Sequence, residues 1–321
     1  MKILVTGGAG FIGSHYVRTL LETDGDTLIT VLDKLTYAGN LANLDQVRTS
    51  DRFTFVRGDI CDAQLVDQLV AEHDQVVHFA AESHVDRSIM GAAEFVRTNV
   101  AGTQTLLDAA VRSKLGTFVH VSTDEVYGSI SEGSSLESDP LRPSSPYSAS
   151  KAAADLLALA YHRTHELDVR VTRCSNNYGH HHFPEKIIPL FVTNLLDGRP
   201  VPLYGDGGNS RDWLHIDDHV RGIELVRADG RPGEIYNIGG GTELTNRELT
   251  DLLLKACDAG WDLVSYVEDR KGHDLRYSVD CTKIRTELGY QPRKDFETGL
   301  AETVTWYHDN RAWWEPLKRI D

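Results

Sequence analysis

Short apolar runs alternate with amphipathic stretches through the first 175 residues of the chain. The runs fall at residues 3–6, 28–32, 53–57, 76–80, 118–122 and 169–173. Most carry apolar side chains at successive positions. That pattern predicts parallel strands covered by helices on both faces. Helical spacing fills the intervals at residues 11–22, 63–72, 94–112 and 148–164. Alternating β and α units of this kind predict an α/β fold built on a doubly wound parallel sheet.

The rhythm loosens after Asn176. Pro184, Pro189, Pro200 and Pro202 punctuate the chain, and Gly205, Gly207 and Gly208 mark a turn. A helix at 217–228 and a strand at 234–238 still read as sheet units. The expected division is therefore a Rossmann-like domain over residues 1–176, with 213–243 returning to it. A smaller mixed α/β substrate domain takes 177–212 and 244–321. The polar stretch 129–145 reads as a loop at the carboxyl end of a strand, where ligand crevices form.

Composition narrows the class. The chain has 321 residues, 40% hydrophobic and 25% charged, as expected of a soluble globular protein. No run approaches the roughly 18 apolar residues of a membrane span. Met1-Lys2 leads directly into the first strand, so no secretory leader is expected. The four cysteines (Cys61, Cys174, Cys257 and Cys281) form no CxxC pair, and a reducing cytoplasm is the simplest location. A net charge of −15 argues against nucleic acid as a partner. An anionic substrate would need local cations to hold it.

The first strand runs into Thr6-Gly7-Gly8-Ala9-Gly10-Phe11-Ile12-Gly13. Glycines at 7, 10 and 13 permit a tight turn and close backbone approach. The helix that follows offers free N–H groups to a pyrophosphate. Asp33 ends the second strand, 20 residues beyond Gly13. A carboxylate there accepts from both ribose hydroxyls and repels a 2′-phosphate, which favours NAD⁺ over NADP⁺. The alternative is a surface turn aspartate. Asp59-Ile60, after the third strand, is expected beside the adenine.

Tyr147 and Lys151 stand at i and i+4 and share a helix face. An ammonium beside a phenol stabilises the phenolate, which can then act as a base toward a sugar hydroxyl. Ser122-Thr123-Asp124-Glu125-Val126-Tyr127-Gly128 follows the fifth strand. Asp124 and Glu125 could be two solvated loop carboxylates. In an enclosed site they repel, and one is pushed toward its neutral form. One could then give a proton while the other takes one.

TGGAGFIG at 6–13, FAAESHVD at 79–86, TNVAGT at 98–103 and YSASK at 147–151 resemble the extended short-chain dehydrogenase/reductase family almost end to end. The Asp124-Glu125 pair is similar to the branch that removes water from nucleoside-diphosphate glucose, with dTDP-glucose favoured. Cys174-Ser175-Asn176-Asn177-Tyr178-Gly179, Phe183-Pro184-Glu185-Lys186, Arg211-Asp212-Trp213 and Gly272-His273-Asp274 agree with it. The resemblance implies bound NAD against Gly7, Gly10, Phe11, Ile12, Gly13, Asp33, Lys34 and Thr36. It adds Asp59, Ile60, Phe79, Ala80, Ala81, Ser83, Thr98, Ser122 and Cys174, with Tyr147 and Lys151.

It also implies an order of events. Tyr147 takes the 4-hydroxyl proton while hydride passes from C4 to NAD⁺. Glu125 removes the C5 proton, Asp124 protonates the departing 6-hydroxyl, and hydride returns to C6. Thr123 bonds the 4-hydroxyl. Lys186, Arg211, Arg270 and His273 hold the diphosphate, with Ser83, Asn177, Glu185, Pro202 and Tyr204 also on the substrate. Asn246 is either a substrate contact or a helix cap.

Two departures stand out. His180 follows Gly179 where the family usually has proline, and Lys271 replaces another proline. His180-His181-His182 are adjacent in a loop and cannot all aim at one ion, so no metal is expected. The helix at 148–164 is apolar around too much of its circumference for one buried face. With 94–112 it is expected to form a homodimer face, as in the resembled family.

Overall fold

The computed structural model describes residues 1–319. The strands of its main sheet are β1 (Lys2–Thr6), β2 (Leu28–Asp33), β3 (Phe53–Arg57), β4 (Gln75–His78), β5 (Thr117–Thr123), β6 (Val169–Cys174) and β10 (Ile235–Ile238). All pair in parallel, in the order β10-β6-β5-β4-β1-β2-β3. The run 3-2-1-4-5-6 is the doubly wound dinucleotide topology, and its order reverses between β1 and β4. Loops leaving the carboxyl ends of those two strands diverge there and leave a crevice.

The helices α1 (Phe11–Thr23), α2 (Ala63–Ala71), α3 (Val85–Met90), α4 (Ala93–Phe95), α5 (Thr103–Ser113), α6 (Pro146–His165) and α8 (Ile216–Asp229) accompany this sheet. The apolar strand runs fill two layers. Ile3, Val5, Val31, Val77 and Val119 pack with α1 and α8, while Leu4, Leu32, Val76, Phe118 and Val171 pack with α2, α5 and α6. Period-two alternation thus sends each strand's side chains to opposite apolar layers, so no strand face reads as polar.

The rest is built from α7 (Ile187–Leu196), α9 (Asn246–Ala256), α10 (Thr282–Leu288), α11 (Phe296–Asp309) and α12 (Arg311–Trp314). The strands β7 (Asn176–Tyr178), β9 (Ser210–His215) and β11 (Glu243–Thr245) form a small mixed sheet. A parallel pair joins β8 (Val201–Tyr204) to β12 (Val264–Val267). A separate apolar cluster around Phe191, Trp213, Leu249, Tyr307 and Trp314 holds α7, α9, α11, α12 and these strands together, whereas α10 packs through Ile284 into the main-sheet layer with α1 and α8.

One expected helix is broken. The stretch 94–112 comprises α4, a π-helical turn at Val96–Gly102, and α5. Asn99 lies inside the wide turn and is buried. Its amide donates to the Glu82 carbonyl (3.0 Å) and to Ser150 Oγ (2.8 Å), and its Oδ1 accepts from the Glu82 N–H (2.8 Å). Period alone does not announce such a turn, because the apolar spacing around one extra residue stays close to helical. π-Turns of this kind recur at functional sites.

Phe118 lies wholly buried on β5, the strand that delivers Asp124 and Glu125 to the crevice. Phe118→Ala should cost about 3–5 kcal/mol of stability through lost burial and a residual cavity. The denaturant midpoint should fall with the slope unchanged, and an unchanged midpoint would show that this layer repacks freely.

Candidate active site

A cavity of about 930 Å³ opens at the carboxyl ends of the strands, on both sides of the reversal. That is near the top of the range for small-molecule sites. One end is the glycine loop. Gly7 has φ +72°, and a Cβ built on it would lie 2.5 Å from the Ala80 backbone nitrogen. A Cβ on Gly13 would meet the Gly7 carbonyl at 2.4 Å. Only glycine allows the loop to fold against β4 and leave room above the α1 N-terminus.

Asp33 is held at the end of β2 by the Ala9 N–H (2.9 Å) and the Leu35 N–H (2.8 Å). Each carboxylate oxygen keeps a lone pair free toward the cavity. Burial raises its pKa, while the two N–H groups oppose that shift. The glycine cradle, the spare acceptors of Asp33 and a buried Tyr147–Lys151 pair in the same cavity fit a nicotinamide dinucleotide.

The catalytic candidates meet on the opposite wall. Thr123 ends β5 and its hydroxyl accepts from the Glu125 N–H (3.3 Å), capping the short 3₁₀ turn Asp124–Tyr127. That turn carries Asp124 and Glu125 into the cavity. Asp124 is buried: Oδ1 accepts from the Thr123 hydroxyl (3.3 Å), and Oδ2 has no hydrogen-bond partner. Burial raises its pKa well above the usual carboxylate range, and the charges of Glu125 and Asp212 push the same way. Burial also raises Glu125, but Lys186, Arg211 and Arg270 counter it. The two carboxyls therefore differ: Asp124 is held toward its neutral form and Glu125 is the more readily ionised partner.

Tyr147 and Lys151 come from the first turns of α6. Pro146 at its start and a reciprocal Ser145–Ser148 capping box fix that end. Burial and the Glu125 charge raise the Tyr147 phenol. Burial lowers Lys151, and the Asp155 charge one turn along raises it. The Lys151 ammonium donates to the Val121 carbonyl at 2.8 Å.

Cations gather at the far end. Lys186 donates to the Ser83 carbonyl (2.7 Å). Arg211 lies over the Tyr277 ring and donates to the Ser210 and Asp274 carbonyls (2.7 and 3.0 Å). Arg270 lies over Tyr204 beside Asp86, and its Nε has no hydrogen-bond partner. His273 pairs with Asp269 at 2.6 Å. Asn177, Glu185, Pro202 and Asn246 complete this wall, and Asn177 Oδ1 is buried without a partner. The cap on α9 is Thr245, in a box with Glu248, so Asn246 is not the capping residue.

Gly10, Phe11, Ile12, Thr36, Phe79, Ala80, Ala81, Ser122 and Cys174 also line the cavity. Four expected cofactor residues lie outside its wall. Lys34 and Asp59 pair with each other at 2.9 Å. Ile60 turns into the helical layer, where it fills the space beside Gly102. Thr98 lies on the π-turn. Residues that motif reading passed over join the wall instead. Arg87 lies 4.0 Å over the Tyr37 ring and 3.3 Å from Glu185, and His84 and Tyr277 also line the cavity. The clue was Arg87 itself, a cation just beyond the FAAESHVD segment.

The histidine run does not converge. His182 stacks on Phe11 with ring centres 4.1 Å apart, while His180 and His181 face each other and Trp306. Burial lowers His180, His181 and His182 to about 3, 2 and 3. Among the described residues no group of His, Cys, Asp or Glu is placed to hold a metal. Lys271 is exposed.

Residues 4–303 match the family model described as GDP-mannose 4,6 dehydratase. The chain is 68% identical to a dTDP-glucose 4,6-dehydratase of Streptomyces antibioticus, over 99% of this chain and 96% of that one. It is similar to the solved structure of a dTDP-glucose 4,6-dehydratase from Streptomyces venezuelae with NAD and TYD bound. The TM-score is 0.97 and the identity 63%, covering 99% of this chain and 100% of that one. A UDP-glucose 4-epimerase of Thermotoga maritima shares the fold at a TM-score of 0.90 but only 30% identity, over 97% of this chain and 100% of that one.

The raised pKa of Asp124 has a thermodynamic consequence. A carboxyl whose folded pKa lies above its unfolded value keeps its stability at low pH. It loses stability as pH rises through the folded pKa. Asn is a neutral isostere without that loss. The melting temperature of Asp124→Asn relative to the parent should therefore rise from pH 4 to pH 8. A constant difference across that range would show that Asp124 ionises normally.

Proposed function

This chain belongs to the extended short-chain dehydrogenase/reductase family, in the group described by the GDP-mannose 4,6 dehydratase model, and we propose that it converts dTDP-glucose to dTDP-4-keto-6-deoxyglucose with NAD as a bound cofactor. The observation that carries this reading is a buried Asp124, its pKa raised by that burial, beside Glu125 and in one cavity with Tyr147 and Lys151. A 4-epimerase needs the tyrosine and lysine but has no water to expel.

The residues divide the work. Gly7, Gly10, Gly13 and the α1 N-terminus would cradle the pyrophosphate, with Asp33 on the adenosine ribose. NAD, when bound, supplies the hydride acceptor for C4, the donor for C6 and a positive charge beside the phenol. Tyr147 takes the proton of the 4-hydroxyl, and Lys151 stabilises the phenolate. Thr123 holds that hydroxyl in place. The resulting 4-keto group acidifies C5. Glu125 then removes the C5 proton while Asp124 protonates the 6-hydroxyl, which leaves as water; once C6 has been reduced, a proton returned to C5 would complete the 4-keto-6-deoxy product. Asp124 can protonate the 6-hydroxyl because burial raises its pKa well above the usual carboxylate range, which favours the protonated form. Lys186, Arg211 and Arg270 supply the local charge that a diphosphate needs on a chain of net charge −15, and His273, whose pKa burial lowers, would add a hydrogen bond.

We read residues 1–176 with 213–243 as the nucleotide-binding unit and the remainder as the substrate-binding unit. The strand β10, paired to β6, supports that division. A second copy of this chain is the proposed partner of α3, the π-turn and α6. Met90, Val96 and Leu156 are exposed there at 83%, 54% and 59%. Among the described residues no helix is long and apolar enough to cross a membrane, and the proposed location is the cytoplasm.

Incubation with dTDP-glucose should yield a 4-keto-6-deoxy product. With Glu125→Gln the first oxidation should proceed and water loss should stall. Reduced nicotinamide absorbance would then build up on the protein while turnover falls about 10²–10⁴-fold. No product from the parent protein would overturn the assignment, and full turnover by Glu125→Gln would remove its proposed base.

A further inference from the structure

The main sheet buries a histidine that the chemistry above does not use. His78 ends β4 at 1% exposure, between β1 and the π-turn. Its Nδ1 lies 2.7 Å from Thr6 Oγ1, and its Nε2 lies 2.9 Å from Thr103 Oγ1. The proton positions follow from counting. Thr103 spends its one hydroxyl proton on the Asn99 carbonyl at 2.6 Å, so its oxygen must receive a proton from Nε2–H. A neutral ring protonated at Nε2 has an acceptor at Nδ1, and Thr6 donates to it. Thr6 Oγ1 is then free to receive the Ala80 N–H, at 3.4 Å. Burial lowers the pKa of His78 well below the usual histidine value, and the charges of His120 and Lys151 act in the same direction. Neutrality agrees with the count.

Both ends of this chain lead to the site. Thr6 precedes Gly7, whose close approach to Ala80 shapes the cofactor cradle. Thr103 leads through Asn99 to Ser150, whose hydroxyl donates to the Tyr147 carbonyl at 2.7 Å. The connection from Thr6 to the Tyr147 helix is continuous and buried.

We propose that His78 is a positioning residue that locks the glycine loop to the Tyr147–Lys151 helix, acting through Thr6 on one side and through Thr103 and Asn99 on the other. It touches neither cofactor nor substrate. This deepens the functional reading above and rests on it for the turnover arm of its test. Two groups held on different elements must meet within a fraction of an ångström, and a misplacement of about 1 Å costs about 10²-fold.

The two ring nitrogens can be removed separately. Asn places an amide oxygen near the Nδ1 position and abandons Thr103. Gln places an amide N–H near the Nε2 position and abandons Thr6. His78→Gln holoenzyme should exchange its bound NAD⁺ against labelled NAD⁺ about tenfold faster, with turnover at saturating NAD⁺ within about threefold of the parent. His78→Asn should exchange within about threefold of the parent and lose about tenfold or more in turnover. These factors correspond to one buried hydrogen bond with its partner left unpaired.

A purely structural role would lower the melting temperature without separating the two quantities. Equal loss of both in both variants, or parental values in both, overturns the proposal. Should either variant fail to fold, Thr103→Val must reproduce the slow-turnover, normal-exchange behaviour, and parental turnover in that variant overturns it too. The exchange measurement needs no sugar nucleotide. If the parent protein does not act on dTDP-glucose, the functional reading fails, while faster exchange in His78→Gln but not in His78→Asn still decides the role of His78.

Discussion

Two carboxylic acids adjacent in sequence cannot both ionise cheaply in an enclosed space, and the site is arranged around that constraint. Asp124 and Glu125 sit on a single 3₁₀ turn, so their backbones cannot separate. What separates their behaviour is their surroundings. Asp124 is buried with one oxygen unpartnered, while Glu125 faces the cations of the far wall. One chain position becomes an acid and the next a base. The same burial raises the Tyr147 phenol, so an apo site cannot readily form the phenolate. Cofactor binding and proton removal are thereby linked through charge.

Topology brings these groups together. The reversal between β1 and β4 opens a crevice beside the glycine loop, and β5 and β6 deliver Thr123 to Glu125 and Cys174 to Asn177 into the same space. The strands are buried on both faces, so their ends are held rigidly by packing and not by the loops themselves. The cations come from elsewhere in the chain: Lys186 before α7, Arg211 on β9, and Arg270 after β12. Closing the chain around the cavity supplies the positive charge that an acidic protein otherwise lacks.

Much of this was legible in the sequence because strand alternation, glycine spacing and the i, i+4 pair are local signals. Each of the six early strands lies within a residue or two of its apolar run. Gly7, Asp33, Asp124 and Tyr147 all reach the cavity. What escaped depends on packing in three dimensions. The π-turn at Asn99 preserves helical spacing and leaves no mark in the pattern. Lys34 and Asp59 were near the expected nucleotide in sequence, but they pair with each other beyond the cavity wall. Arg87 reaches the wall because Tyr37 and Glu185, from distant segments, receive it. His78 reads as an interior strand residue, and only its partners on β1 and α5 reveal a connection between the two halves of the site.

The central claim is that oxidation at C4 and reduction at C6 are one internal cycle, with Asp124 and Glu125 removing water between them. dTDP-glucose carrying deuterium at C4 tests it most directly. Turnover should deliver the label to C6 of the same sugar. Label released to solvent or to free cofactor, or returned to C4, would contradict the account.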